Sequence, residues 1–230
     1  MRRWFTVLIL TVASTFVWLP LTSTSSATPP TSLEDELLRD ATVVLRRAVD
    51  TPAAAIPAFI MERARGIAVI PAAVKDGALY YGMGVVSARG ANPELWTPPG
   101  VFAFQGAIPL DLKADALDFV LVAQTPRGLD YLTQERFATS VTHPIFPGPL
   151  GQDTRVRMNA DLLAYMQFGE YFAGVTIDDW DITEMREANQ HLYGRPYSTD
   201  DILRGAGFFR LPPAARLWRE VLAAYFREMT

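Results

Sequence analysis

A chain of 230 residues, half of them hydrophobic, can bury a full core as one domain with room for an appendage. Its 25 acidic residues outnumber its 21 basic ones, which argues against general nucleic-acid binding, and no run of basic residues restores that function. Cysteine is absent, which excludes thiolate chemistry, cysteine-based zinc sites and a lipid-modified N-terminal cysteine.

Arg2 and Arg3 precede an apolar run over residues 4–21, and the small residues Ser25 and Ala27 stand at the −3 and −1 positions of a cleavage site. This is the three-part plan of a secretory signal peptide over residues 1–27. An uncleaved anchor is the competing reading, but the run is near the lower limit of about 17 apolar residues for a span and Pro20 interrupts its end. The Arg2-Arg3-Trp4-Phe5 stretch also fits a twin-arginine export signal. Cleavage removes two basic residues and no acidic ones, moving the net charge from −4 to about −6.

Residues 28–32 read as a short linker. Thr31 and Glu34 have the spacing of a capping box, just before an apolar-periodic run. Leu33, Leu37, Ala41, Val44, Leu45 and Ala48 share one face, which predicts an amphipathic helix over 33–49 with Arg39, Arg46 and Arg47 elsewhere on its surface. Pro57 and Gly66 bracket a second, shorter helix. From Gly66 the pattern turns strand-like. Ile67-Ala68-Val69-Ile70 reads as a buried strand stopped by Pro71, and Lys75-Asp76-Gly77 as a turn. Residues 78–89 read as a strand with Gly82 and Gly84 inside it. A proline-rich loop over 92–100 carries Trp96, strands follow at 101–104 and 117–122, and 126–137 reads as helix.

After a loop at 144–151, Thr154, Val156 and Met158 alternate with polar neighbours, as on a half-buried strand. Residues 162–168 and 171–177 flank a hairpin turn at Gly169-Glu170. Asp181 begins a helix that runs through Tyr193 and ends at Gly194, and a last helix covers 214–229. The whole predicts an α+β fold: a curved antiparallel sheet or partly closed barrel with flanking helices.

A series of short motifs in this order resembles the SYLF-domain family. Ala64-Arg65-Gly66-Ile67-Ala68-Val69-Ile70-Pro71, followed by Lys75, is similar to the family's opening signature. Gly82, Gly84, Val85, Val86 and Arg89 follow, then Trp96 and Pro98, then the strand from Asp118 to Val122. Gly148-Pro149-Leu150-Gly151, Tyr165, Phe172-Ala173-Gly174-Val175, Ala188-Asn189 and Leu192-Tyr193-Gly194 complete the series. The resemblance covers residues 33–203 and leaves 204–230 as a C-terminal helical extension. It implies a lipid-binding module for phosphoinositides or other anionic lipids, small and exported in bacteria. Fungal relatives work with actin at membrane patches; for an exported chain, actin binding is expected not to transfer. One stretch departs from the family, which usually carries glycine, serine and glutamine there. Residues 105–113 keep Gly106 but place Pro109, Asp111 and Lys113 where small or amide residues are usual.

Catalytic readings are weak. The two histidines, His143 and His191, stand in no metal-ligand spacing, and no G-x-S-x-G turn is present. Asp178, Asp179 and Asp181 cluster around Trp180, but the spaced loop of a calcium site is missing, and capping by Asp181 is the plainer account. The expectation is a non-enzyme needing no metal or cofactor. It binds a phospholipid or membrane surface and is exported to the periplasm or beyond as a peripheral protein. The candidate lipid contacts are Leu37, Arg39, Leu45, Arg46 and Arg47 on the first helix, with Lys75 and Trp96. The same apolar stripe would equally serve to pack the helix on the sheet, and Trp96 would equally serve tucked under its own loop. If it enters lipid, binding should persist at raised salt and depend on Leu37 and Leu45 more than on Arg46 and Arg47. The alternative is an envelope structural or interaction protein that docks a partner through its terminal helix. An unrecognised hydrolase is a minor third reading.

Overall fold

Strands with apolar side chains on both faces need a second layer on one side and closure on the other. The computed structural model shows both solutions in one sheet. It describes residues 32–50, 56–90, 95–133, 145–150, 160–169, 171–205 and 210–226. The predicted signal peptide, His143 and the strand expected around Thr154–Met158 lie outside the described residues.

The helices are α1 (Leu33–Asp50), α2 (Ala58–Arg63), α3 (Pro126–Tyr131), α4 (Arg186–Tyr193), α5 (Thr199–Leu203) and α6 (Pro213–Tyr225). The strands are β1 (Gly66–Asp76), β2 (Leu79–Ala88), β3 (Gly100–Ala107), β4 (Ala116–Ala123), β5 (Phe146–Pro147), β6 (Leu162–Phe168), β7 (Tyr171–Gly174) and β8 (Asp178–Glu184). They form one strongly curled sheet in the order β5-β6-β4-β1-β2-β3-β8, with β7 paired to β6. All pairings are antiparallel except β5 with β6, so the sheet is mixed. Among the described residues its two edges meet at one bridge, Ile145 to Ile177, both fully buried. The fold is α+β, a half-barrel flanked by helices.

Inside the curl, Ile70, Phe102, Phe104, Phe119, Met166 and Trp180 fill the space with their own side chains. Gly84 makes room for this: a Cβ there would lie 2.4 Å from the Phe102 ring. On the outer face, Val69, Val85, Val101 and Val120 meet a helical layer built from α1 and α6. Leu38, Ala41, Leu45 and Ala48 of α1 and Ala215, Trp218 and Leu222 of α6 are essentially inaccessible. The segment set apart as a C-terminal extension is therefore part of the central core, and 31–230 form one compact unit.

Three local expectations change. Pro71 does not stop β1; the strand passes it through a register shift between Ile70 and Ala73, with Ala72 at φ 47°. The Ala72 N–H freed by that bulge donates to Asp118 Oδ1 at 2.8 Å. Asp181 does not begin a helix: Trp180 and Ile182 alternate into the barrel as part of β8, and α4 starts at Arg186. At the start of α1 the side chain that accepts from Asp35 N–H is Ser32, while Glu34 is turned to another element. The short α5, capped by Ser198, has no counterpart among the predicted elements.

Candidate functional site

The polar face of α1 is the surface on which sequence and structure converge. Leu37 and Leu45 are in the core, 9% and 0% exposed, so neither can enter a bilayer while the fold is intact. That corrects their candidacy as lipid contacts: the stripe packs on β1, β2 and α6. Arg39, Arg46 and Arg47 remain exposed, and Val43, 46% exposed, sits between them on the same side of the helix. Asp40 and Glu36 are also exposed on α1, so the face is mixed rather than uniformly basic. Among the described residues no helix is long and apolar enough to cross a membrane.

Trp96 is not an interfacial side chain. It is 2% exposed, edge-on to Phe226 at 5.5 Å, with the Arg89 guanidinium 5.1 Å from its ring centroid. Its backbone bridges Arg89, and its carbonyl accepts from Arg219 Nε at 2.7 Å. Lys75 is half-buried at the barrel rim. Its Nζ donates to the Leu112 carbonyl at 3.2 Å and lies 5.9 Å from the Tyr80 ring centroid. The departing 105–113 stretch thus begins as the end of β3 and continues from Ile108 as a rim loop: Lys75 holds the Leu112 carbonyl, Tyr80 Oη donates to the adjoining Ala114 carbonyl, and Ile108 is buried.

Arg89 organises more of this region than any of the candidate lipid contacts. Its Nε donates to the Ala64 carbonyl and Nη1 to Phe226, both at 2.8 Å; Nη2 donates to Met61 at 3.1 Å. Those carbonyls are the C-terminal ends of α2 and α6, where the helix dipoles are negative and the backbone lacks intrahelical donors. The family signature contains Arg89, but its partners come from far along the chain and no local pattern announces them. Gly148 of the signature has an equally direct cause. A Cβ there would sit 2.0 Å from the Tyr165 ring, which is fully buried and stacked on Phe172 at 5.5 Å. Burial pushes the Tyr165 hydroxyl well above its ordinary value.

His191 ties α4 to α1, its Nδ1 2.8 Å from Glu34 Oε1. Burial alone would push the Glu34 carboxyl up. The His191 hydrogen bond, Glu34's own N–H and Ser32 outweigh it and hold the group below the ordinary carboxylate value. A carboxyl depressed in the folded state stabilises the fold above its unfolded pKa, and that stabilisation is lost as pH falls through the folded value. Glu34→Gln is expected to cost about 1 kcal/mol at pH 7. It should also flatten the fall in thermal stability below about pH 4.3. Melting curves of both proteins from pH 7 to pH 3 test this; parallel curves would refute it.

An open polar depression of about 380 Å³ lies among α3, α4 and α5, with Asp130, Glu184, Arg186, Asp200 and Arg204 in its walls. Its arginines are matched internally, Arg186 by Glu184 and Arg204 by Asp200. Among the described residues no group of three or more metal-ligating side chains converges.

This is an α+β half-barrel protein whose barrel is filled by its own aromatic and aliphatic side chains. The family model described as Ysc84, Las17-binding protein actin regulator, matches residues 110–225, and the chain belongs to that Ysc84/SYLF family. Among curated relatives, it is similar to Protein YSC84 of Saccharomyces cerevisiae, 30% identical over 171 residues, covering 70% of this chain and 36% of the relative. LAS seventeen-binding protein 3 of the same species is 31% identical over 170 residues, covering 69% and 36%. SH3 domain-containing YSC84-like protein 1 of Rattus norvegicus is 25% identical over 191 residues, covering 76% and 55%. The chain therefore spans well under two thirds of the length of these relatives. No solved structure matches. The family's description as an actin regulator, with relatives named for Las17 binding, overturns the expectation that actin-related binding is foreign to this chain.

Proposed function

We propose that this protein is a non-catalytic, peripheral binder of anionic membrane surfaces that works after export. The observation that carries the reading is the arrangement of α1. Its apolar stripe is committed to the core, while Arg39, Arg46 and Arg47 with Val43 stand on the outside. Arginines on an exposed helix face suit phosphate-bearing headgroups, each contributing about 1 kcal/mol near an anionic surface. Export rests on the signal-peptide pattern of residues 1–27.

The buried leucines reverse the salt expectation. With Leu37 and Leu45 both held in the core, binding through the arginines should weaken as salt rises. Flotation of the protein recovered from its native host tests this, with phosphatidylcholine–phosphatidylglycerol vesicles against phosphatidylcholine alone. Arg39→Ala/Arg46→Ala/Arg47→Ala is expected to lower binding at least about tenfold with the melting temperature unchanged. Equal flotation of the variant, or an N-terminus still at Met1 rather than near Thr28, would count against this reading.

A second reading comes from the family description: association with an actin-regulating partner or with actin itself. Co-sedimentation with actin filaments, with and without the anionic vesicles, separates the two.

A further inference from the structure

The described helices cover only part of the sheet's outer face. Beyond Val69 and Val85, toward the hairpin at Gly77, no described helix lies over it. Register places Ala116, Val74, Tyr81, Gln105 and Asp181 in one row across β4, β1, β2, β3 and β8. Paired residues in a row share a face. The row at the rim is Asp76, Leu79, Ala107 and Asp178, and the row toward the helices holds Met83, Ala103 and Thr183, with Asp118 beside them on β4. Val74 is 57% exposed and Tyr81 41%, unusual for large side chains in the middle strands of a sheet.

The composition of these rows is one-sided. Apolar residues occupy the centre, four aspartates stand around it, and no lysine or arginine is among them. Lys75 is turned away to Leu112 and Tyr80. Such a surface repels anionic lipid and attracts cations. From β4 to β8 there are four strand spacings of about 4.8 Å, roughly 19 Å, which a helix of about 13 residues would span.

We infer that this open face docks a cationic amphipathic segment of a partner protein, whose apolar side covers Val74 and Tyr81 while its lysines or arginines meet Asp76, Asp118, Asp178 and Asp181. The inference is independent of the membrane reading and uses a different half of the sheet from the arginines of α1.

The probe is a fluorescent 14-residue Lys/Leu amphipathic peptide, with a Glu/Leu peptide of the same pattern as control, titrated against the full chain by anisotropy. Binding of the Lys/Leu peptide alone is expected, weakening with salt. Val74→Ser/Tyr81→Ser should lower affinity at least about tenfold, and Asp76→Asn/Asp178→Asn/Asp181→Asn about tenfold. If the apolar variant melts early, the aspartate variant carries the test. Asp201→Asn/Glu187→Gln/Glu220→Gln removes the same charge elsewhere and should leave affinity unchanged; an equal loss would reduce the effect to bulk charge and overturn the inference. It is also overturned if the Val74/Tyr81 variant binds the peptide normally. Loss of self-association in that variant by sedimentation, without peptide binding, would assign the face to a second copy. Loss of vesicle flotation instead would assign it to lipid.

Discussion

Leu45→Glu is expected to destabilise the protein by about 5 kcal/mol, lowering the melting temperature by about 10 °C or more. The side chain is fully buried between the sheet and α6, and a carboxylate there has no partner positioned to satisfy it. Vesicle binding should fall with the fold, not separately from it. The contrast with Arg46→Ala/Arg47→Ala is what matters. Both residues are exposed, so that variant should keep its melting temperature and lose affinity. Circular dichroism melting beside flotation distinguishes them. A Leu45→Glu protein that melts like wild type would show that α1 does not need its stripe for packing.

Arg89→Leu should cost about 3–4 kcal/mol. It strands carbonyl groups at the ends of α2 and α6 and removes the cation from the Trp96 ring. Arg89→Lys should recover less than half of the loss, because an ammonium cannot present the planar fork that reaches two helix ends at once. Unfolding in urea gives the stabilities. Tryptophan emission should shift to the red in Arg89→Leu as water reaches the Trp96 pocket. Equal stability of the lysine variant would reduce Arg89 to a point charge.

The legible parts of this fold were those specified by near neighbours in the chain. The 3.6-residue periodicity of 33–49 located α1 to within a residue, and Gly77, Gly169 and Gly194 marked turns and a cap that carry positive φ. Failures arose where a local signal competes with a distant partner. Pro71 reads as a stop, yet a bulge stabilised from Asp118, 46 residues away, carries β1 past it. Asp181 reads as a helix cap, but the barrel interior claims Trp180 and Ile182 on either side. The candidate site divided along the same line. Arg39, Arg46 and Arg47 are exposed, as polar residues of an amphipathic helix should be. Trp96 reads as a loop tryptophan, interfacial or tucked under its own loop, because Phe226, which covers it, is 130 positions away. The open sheet face was illegible for the same reason: cross-strand rows exist only once register is known.

The contact between α1 and α6 joins the first and last described helices of the compact unit, and it sets an order of assembly. Helices form in microseconds, whereas pairing across such a span must wait for the chain between to collapse. While the chain is being synthesised, α1 emerges with its apolar stripe bare, and the α6 side of its cover is made only after every strand of the sheet. Until then the stripe is available to any apolar surface at hand, a bilayer or a chaperone included. A protein cut short after α5 would leave the α6-facing part of that stripe uncovered. Docking of α6 is in that sense the step that converts a sticky precursor into a closed domain.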